Sequence, residues 1–227
     1  MSPVLFIALL GGIVPALLWL TFWLLEDRCE PEPKRFILLC FVGGALAVYA
    51  ALKLEQSVQL YLAGAPLLLA WAAIEELLKF GVAYVFALRL RVFDEPLDAI
   101  VYMVTVALGF SAFENFLFLL TPLSQGDVLR TLITGDLRFI GATLLHCLAS
   151  ATVGVSLALA FYKSAAWRRF AALVGVILAI LLHTTFNLFI LGSGGGATFW
   201  VFLCIWFGVV VLLFMTEQVK QPARDYC

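Results

Sequence analysis

Seven long apolar runs dominate the chain and decide what it can fold into. An α-helix of about 20 mostly apolar residues crosses a hydrocarbon core about 30 Å thick and satisfies its own backbone hydrogen bonds. A composition of 64% hydrophobic and 13% charged residues among 227 is typical of an integral membrane protein. We predict an all-α, polytopic transmembrane bundle of about seven helices, near Val4–Leu25, Phe36–Leu54, Pro66–Leu90, Leu97–Thr121, Phe139–Tyr162, Phe170–Leu191 and Ala197–Thr216.

The boundaries of these runs indicate one membrane domain over residues 1–227. Pro66 and Pro96 stand where a first helical turn tolerates a missing N–H group, and the run of glycines at 194–196 interrupts the apolar pattern. The first run is too long for a signal-peptide core and lacks a basic segment before it, so we expect it to be retained.

The distribution of Lys and Arg in the predicted loops sets the orientation. Positive residues accumulate on the cytoplasmic side of membrane proteins. Ten lie on one side and three on the other, which predicts a multi-pass protein of the cell membrane with its N-terminus outside and its C-terminus in the cytoplasm. The ten are Arg28, Lys34, Arg35, Arg89, Arg91, Lys163, Arg168, Arg169, Lys220 and Arg224, and the three are Lys53, Arg130 and Arg138.

Charge and cysteine content argue against two other classes of protein. A net charge of −1 gives no indication of a nucleic-acid partner. The five cysteines, at 29, 40, 147, 204 and 227, form no CxxC pair and no regular spacing, so we expect apolar fillers and no disulfide framework.

Six ionisable residues lie deep inside the apolar runs, where a charge costs roughly 2.5 to 3.5 kcal/mol on insertion scales. At about 100° per residue, the first three share one helix face. The four that lie on four different helices fall at roughly 10 to 14 Å below the outer face, at 1.5 Å per residue, so they can form one site. The six are Glu75, Glu76, Lys79, Glu114, His146 and His183.

Each of these residues also has a purely structural interpretation. Lys79 can simply neutralise the two adjacent glutamates, and a single intramembrane histidine is more often a hydrogen-bonded helix contact. The stripe of Phe110 and Phe118 around Glu114 is interpreted as lipid-facing or packing surface. The common depth of both histidines and all three carboxylates favours a functional site.

Four short motifs follow one another on the predicted helices: EExxK (Glu75, Glu76, Lys79), FxxxEN (Phe110, Glu114, Asn115), a helix-borne histidine (His146) and HxxxN (His183, Asn187). In this order they resemble the signature helices of the PrsW family of intramembrane proteases, which is related to the CAAX prenyl protease and bacteriocin-processing family. The resemblance covers residues 65–191. It implies hydrolysis of a peptide bond inside the membrane, in the manner of site-1 proteases that cut membrane-anchored anti-sigma factors.

A hydrolase of this kind needs a base that activates water and a donor for the oxyanion. A catalytic zinc takes three His or carboxylate ligands and keeps one position for water. His146, His183 and Glu114 supply such a set, with Glu75 as general base. Glu76 is then either a further ligand or the partner of Lys79, and Asn187 is a candidate oxyanion donor.

Other mechanisms stay open at this point. Resemblance to the prenyl proteases implies a glutamate-dependent scheme without a metal, and their second motif ends in histidine where this chain has Glu114. HExxH, GxSG and GxGD motifs are absent, so zincin, serine and presenilin-like mechanisms gain no support. A proton or cation transporter is the rival class, since polar residues in membrane helices often mark a pathway. A scaffold with merely paired charges is the remaining one.

Overall fold

Eight α-helices follow one another along the residues that the computed structural model describes, which are 2–28, 30–192, 196 and 198–220. Over these ranges there is no strand, so the all-α prediction is confirmed. The helices are α1 (Pro3–Glu26), α2 (Lys34–Val58), α3 (Gly64–Ala83), α4 (Pro96–Ser124), α5 (Val128–Leu137), α6 (Thr143–Leu159), α7 (Ala165–Gly192) and α8 (Thr198–Val219).

Seven of the eight helices correspond to the seven predicted runs, and five of them are long and apolar enough to cross a membrane: α1, α2, α4, α7 and α8. The other two are not among these five, because α3 carries three charged residues and α6 has only 17 residues. The prediction missed α5, a 10-residue helix with no buried side chain. Arg130, Thr131, Thr134 and Asp136 interrupt its apolar pattern.

The centre of the bundle is α4, in which every residue from Leu97 to Ala112 is buried. It packs against α1, α2 and α6. The crossing with α2 is close because glycines face backbone on both sides. A Cβ atom at Gly109 would collide with the carbonyl of Phe41, and one at Gly44 would collide with the carbonyl of Val106. This contact fixes the position of α4 relative to α2, and with it the side chains in the C-terminal half of α4.

Two π-helical turns adjust the direction of the helices around the centre. Tyr84–Leu88 follows α3, and Arg138–Ala142 joins α5 to α6. Such turns are rare and recur at functional sites. The second one places Arg138 about two turns before His146, on the end of the bundle where α4 ends.

The opposite end of the bundle, where α1 ends and α4 begins, holds a group of acidic residues. The Tyr102 hydroxyl donates a hydrogen bond to Glu32, and the Asp27 side chain accepts one from the Glu32 backbone N–H at 3.3 Å. Burial raises the pKa of Asp27 to about 7 and that of Glu32 to about 9, and burial beside Asp98 raises the pKa of Glu95 to about 7. These carboxyl groups are therefore protonated over much of the acidic and neutral range.

The structure also bears on the cysteine prediction. Cys40, Cys147 and Cys204 are free thiols, of which the first two are buried and the third is exposed. Cys29 and Cys227 lie outside the described residues.

Candidate active site

The six deep ionisable residues meet where α3, α4, α6 and α7 face one another. Glu76 and Lys79 have no solvent exposure, and Glu75, His146 and His183 are buried as well. The side chain of Glu114 is 18% exposed. The structure therefore brings side chains from four helices together at one site, as the sequence predicted.

Lys79 lies between the two glutamates of its own helix. Its Nζ atom is 2.7 Å from Glu76 Oε1 and 3.5 Å from Glu75 Oε2, at the i,i+3 and i,i+4 spacings that bring helical neighbours together. The ammonium also stands 4.7 Å from the centre of the Phe110 ring, a cation–π distance. Lys79 is thus placed as the predicted partner of Glu76.

Glu76 also forms a hydrogen bond with a histidine of α7, His183. His183 Nδ1 lies 2.8 Å from Glu76 Oε1. An ionised carboxylate only accepts hydrogen bonds, so Nδ1 carries the proton. In neutral His183 the lone pair then lies on Nε2.

The second histidine, His146, has a partner at each ring nitrogen. Nδ1 lies 2.8 Å from Lys79 Nζ, and Nε2 lies 3.0 Å from Glu114 Oε2. A charged ammonium only donates and a carboxylate only accepts. The Nδ1 atom therefore bears the lone pair, and Nε2 donates to Glu114.

Glu75, His146 and His183 form the one group in the described part of the chain that could hold a metal ion. One ligand atom from each lies within 4.8 Å of the other two. Glu75 Oε2 is buried and has no hydrogen-bond partner. Each histidine is held by a second carboxylate through its other nitrogen, as is usual for metal-binding imidazoles. By residue type the donor set is one that zinc takes, with Glu75 where the sequence led us to expect Glu114. The Nδ1 lone pair of His146 already accepts from the Lys79 ammonium at 2.8 Å, so a zinc ion there would have to displace that contact.

Sequence reasoning missed Glu55 of α2, which lies among the residues around this site, and it also missed Arg138. Arg138 pairs with Glu114, and its Nε atom donates to Asn115 Oδ1 at 2.5 Å. In the sequence it counts only as one of three positive residues on the outer side. An arginine eight positions before His146, directly before the predicted run Phe139–Tyr162, was the available signal.

A cavity of about 650 Å³ extends from these residues to the end of the bundle where α2 and α7 end. Its polar lining includes Glu75, Glu114, Arg138, both histidines and Asn187. Phe110 and Phe118, interpreted from sequence as packing or lipid-facing residues, also line it. The volume and mainly apolar wall are those of a ligand-binding cavity.

Comparison with known proteins identifies the family to which the chain belongs. The family described as "PrsW family intramembrane metalloprotease" matches residues 32–215. Protease PrsW of Shouchella clausii (strain KSM-K16) is 29% identical over 220 residues, or 95% of this chain and 96% of that relative. Protease PrsW of Bacillus subtilis (strain 168) is 24% identical over 93% of each chain.

A further relative matches a shorter region. Protease PrsW of Geobacillus kaustophilus (strain HTA426) is 33% identical over 127 residues, and this match spans about half of each chain, 54% of this one and 56% of that relative. No solved structure matches the chain. The family match covers most of the sequence, including all four motifs, and the chain is a multi-pass integral protein of the cell membrane that belongs to the PrsW family of intramembrane proteases.

Proposed function

We propose that residues 1–227 form a single intramembrane endopeptidase domain that hydrolyses a peptide bond of a membrane-anchored protein. The observation that carries the proposal is the meeting of Glu75, His146 and His183 at the wall of the cavity. A carboxylate and two imidazoles with oriented lone pairs are a set that activates water. The cavity of about 650 Å³ that these residues line has the volume of a ligand-binding cavity.

The metal-dependent form of the proposal assigns zinc to Glu75, His146 and His183. Bound zinc would lower the pKa of a water ligand towards 7 and polarise the substrate carbonyl. Glu76 accepts a hydrogen bond from Nδ1–H of His183, and Glu114 accepts one from Nε2–H of His146. Glu114 is then the second carboxylate that faces the cavity, and Asn187, one turn from His183, is a donor for the oxyanion.

A specific contact favours a second, metal-free form. The Lys79 ammonium already stands 2.8 Å from His146 Nδ1, where it supplies a positive charge to the site. In this form Glu75 takes the proton of the attacking water, as in the glutamate-dependent scheme of the CAAX prenyl proteases. Glu75 is required in both forms, which makes it the residue to test first.

The proposed substrate is a membrane-anchored protein cut near the outer leaflet, with an anti-sigma factor as the example. The cavity reaches the end of the bundle that the distribution of Lys and Arg predicts to be outside. The relatives are named proteases, and the family description places their activity inside the membrane.

The test uses the purified chain in proteoliposomes with a membrane-anchored reporter protein. We expect Glu75→Gln, His146→Gln and His183→Gln to lower cleavage by about 10²- to 10⁴-fold, the usual contribution of a positioned acid or base. Glu217→Gln removes an exposed carboxylate of α8 and is the matched control. Full cleavage by folded Glu75→Gln protein, or ion flux without cleavage, would sink the proposal.

Metal analysis decides between the two forms. Zinc at one equivalent in the parent protein, lost in the His146→Gln/His183→Gln double variant, supports the metal-dependent form. Cleavage that is indifferent to chelators, by protein that contains no zinc, supports the metal-free one. The Glu75→Gln protein can also be used to trap the natural substrate.

A further inference from the structure

Arg138 reaches the site from outside the four motif helices. It stands at the π-helical turn between α5 and α6, and its side chain is 15% exposed. The guanidinium forms an ion pair with Glu114 and donates a hydrogen bond to Asn115. Its Cζ atom lies 4.0 Å from the centre of the Phe118 ring. All three partners are on α4, so Arg138 connects the start of the α6 segment to the end of α4.

We propose that Arg138 is a positioning residue that fixes Glu114 and, through it, the proton of His146. Glu114 Oε2 accepts from Arg138 Nη2 and from His146 Nε2, which is 3.0 Å away. Because Arg138 holds this oxygen in place, the Nε2 proton of His146 keeps its partner. The lone pair of His146 then stays on Nδ1, the nitrogen that faces Lys79 and Glu75.

A second chain of contacts holds Arg138 itself. Asn115 Nδ2 donates to Thr143 Oγ1 at 3.0 Å, and Ser111 Oγ donates to the same hydroxyl at 3.0 Å. These bonds turn the Asn115 amide so that its Oδ1 atom accepts from Arg138. Thr143 begins α6 and lies one turn before His146, so the network also fixes the height of His146 against α4.

The chemistry requires arginine at this position. A planar guanidinium presents donors to two acceptors at once and stacks on an aromatic ring, whereas a lysine is a single flexible point charge. Here the two acceptors are Glu114 and Asn115, and the ring is that of Phe118. Replacement by lysine retains the charge but loses the simultaneous contacts.

The chain has only two histidines, which allows a direct spectroscopic test. Nitrogen-15 NMR of full-length protein labelled at histidine reports the protonation of each ring nitrogen, and a His183→Gln variant assigns the remaining signals to His146. We expect His146 to be protonated at Nε2 in the parent. In Arg138→Gln the Lys79 ammonium still donates to Nδ1, so we expect Nε2 to keep its proton but its signal to shift and broaden as Glu114 loses its anchor, with Arg138→Lys in between.

The effect on cleavage rests on the proposed function, and there we expect a loss of about 10- to 100-fold in Arg138→Gln, as for other outer partners of active-site ligands. Arg130→Gln, which removes a positive charge from the exposed face of α5, is the control and leaves both measurements unchanged. Unaltered His146 signals in Arg138→Gln, or a parent protonated at Nδ1, overturn the inference. A parent that shows the expected tautomer but cleaves nothing contradicts the proposed function and leaves the role of Arg138 standing. If Arg138→Gln does not fold, Arg138→Lys provides the same test.

Discussion

Lys79 is the residue on which the electrostatics of the site depend. It is fully buried, and two carboxylates and an imidazole nitrogen lie within 3.5 Å of its ammonium group. Removing one member of a buried charge pair leaves an uncompensated charge, which costs more than the pair itself contributes. Lys79 therefore stabilises the fold whether or not it takes part in catalysis.

We expect Lys79→Met to lower the free energy of unfolding by about 3 to 5 kcal/mol, because the Glu75 and Glu76 charges lose their cation. Thermal unfolding in detergent would measure the change. The double variant Glu76→Gln/Lys79→Met, which also removes one of the buried carboxylates, should recover part of the loss. Lys53→Met, at an exposed position of α2, is the control, and a loss equal to that of Lys79→Met would contradict this account.

At the residue scale, the sequence identified most residues of the candidate site but not which of them contact one another. Glu75, Glu114 and the two histidines were recognisable because ionisable residues are rare in apolar runs. Spacing along a helix does not determine which rotamer each side chain adopts, so it could not show that Glu75, rather than Glu114, joins both histidines. Arg138 escaped notice because it lies at the polar end of a run, where a positive residue is ordinary.

At the scale of helices, the close crossing of α2 and α4 holds the end of α4 in place. Backbone meets backbone there, at Gly44 and Gly109, with no side chain between the helices. Small residues allow such approach in membranes, where packing and not water exclusion drives association. The geometry of Glu114 thus depends on a contact elsewhere along the same helix.

We expect Gly109→Ala to destabilise the protein and to lower cleavage, because the added Cβ atom collides with the carbonyl of Phe41 and forces the helices apart. Gly81→Ala is the matched control. Nothing lies within 4 Å of a Cβ atom at that position, so alanine's better helix propensity should leave stability unchanged or raise it by up to about 1 kcal/mol. Both are measured by thermal unfolding in detergent. Equal melting temperatures for the two variants would be evidence against a close crossing.

Helices were predictable from sequence to the extent that their apolar runs are long. Each of the seven predicted runs corresponds to a helix, although α3 carries three charges and α6 has 17 residues. The short α5 helix and the two π-helical turns were not predictable, since a 10-residue segment with mixed polarity resembles a loop and a π turn has no sequence signature of its own. The Arg138–Ala142 turn nevertheless decides where Arg138 points.

At the scale of the whole molecule, the acidic group at the end of α1 makes stability depend on pH. Asp27, Glu32 and Glu95 have ordinary pKa values near 4, and burial raises them to about 7, 9 and 7. The folded protein therefore binds more protons than the unfolded chain between about pH 4 and pH 9. The stabilisation is complete below this window and is lost as pH rises through it.

We expect the melting temperature in detergent to fall between pH 5 and pH 9, and the fall to be smaller in Glu32→Gln. The neighbours Asp94 and Asp98 oppose ionisation, whereas Lys220 favours that of Asp27. Asp136→Asn, which removes an exposed carboxylate of α5 at the other end of the bundle, should follow the parent curve. A melting temperature that rises over this range would refute the prediction.

The exposed face of α5 has a consequence for how a substrate arrives. The helix buries none of its side chains, yet it leads into the turn that carries Arg138 to the cavity wall. On the other side of the cavity, α2 and α4 are locked by their glycines. The proposed substrate, a membrane-anchored protein that diffuses within the lipid layer, therefore meets one closely packed wall and one formed by a helix with no buried side chain. We expect lateral admission past α5, so a crosslink from α5 to α4, the helix that it contacts, should block cleavage of anchored substrates before that of short soluble peptides.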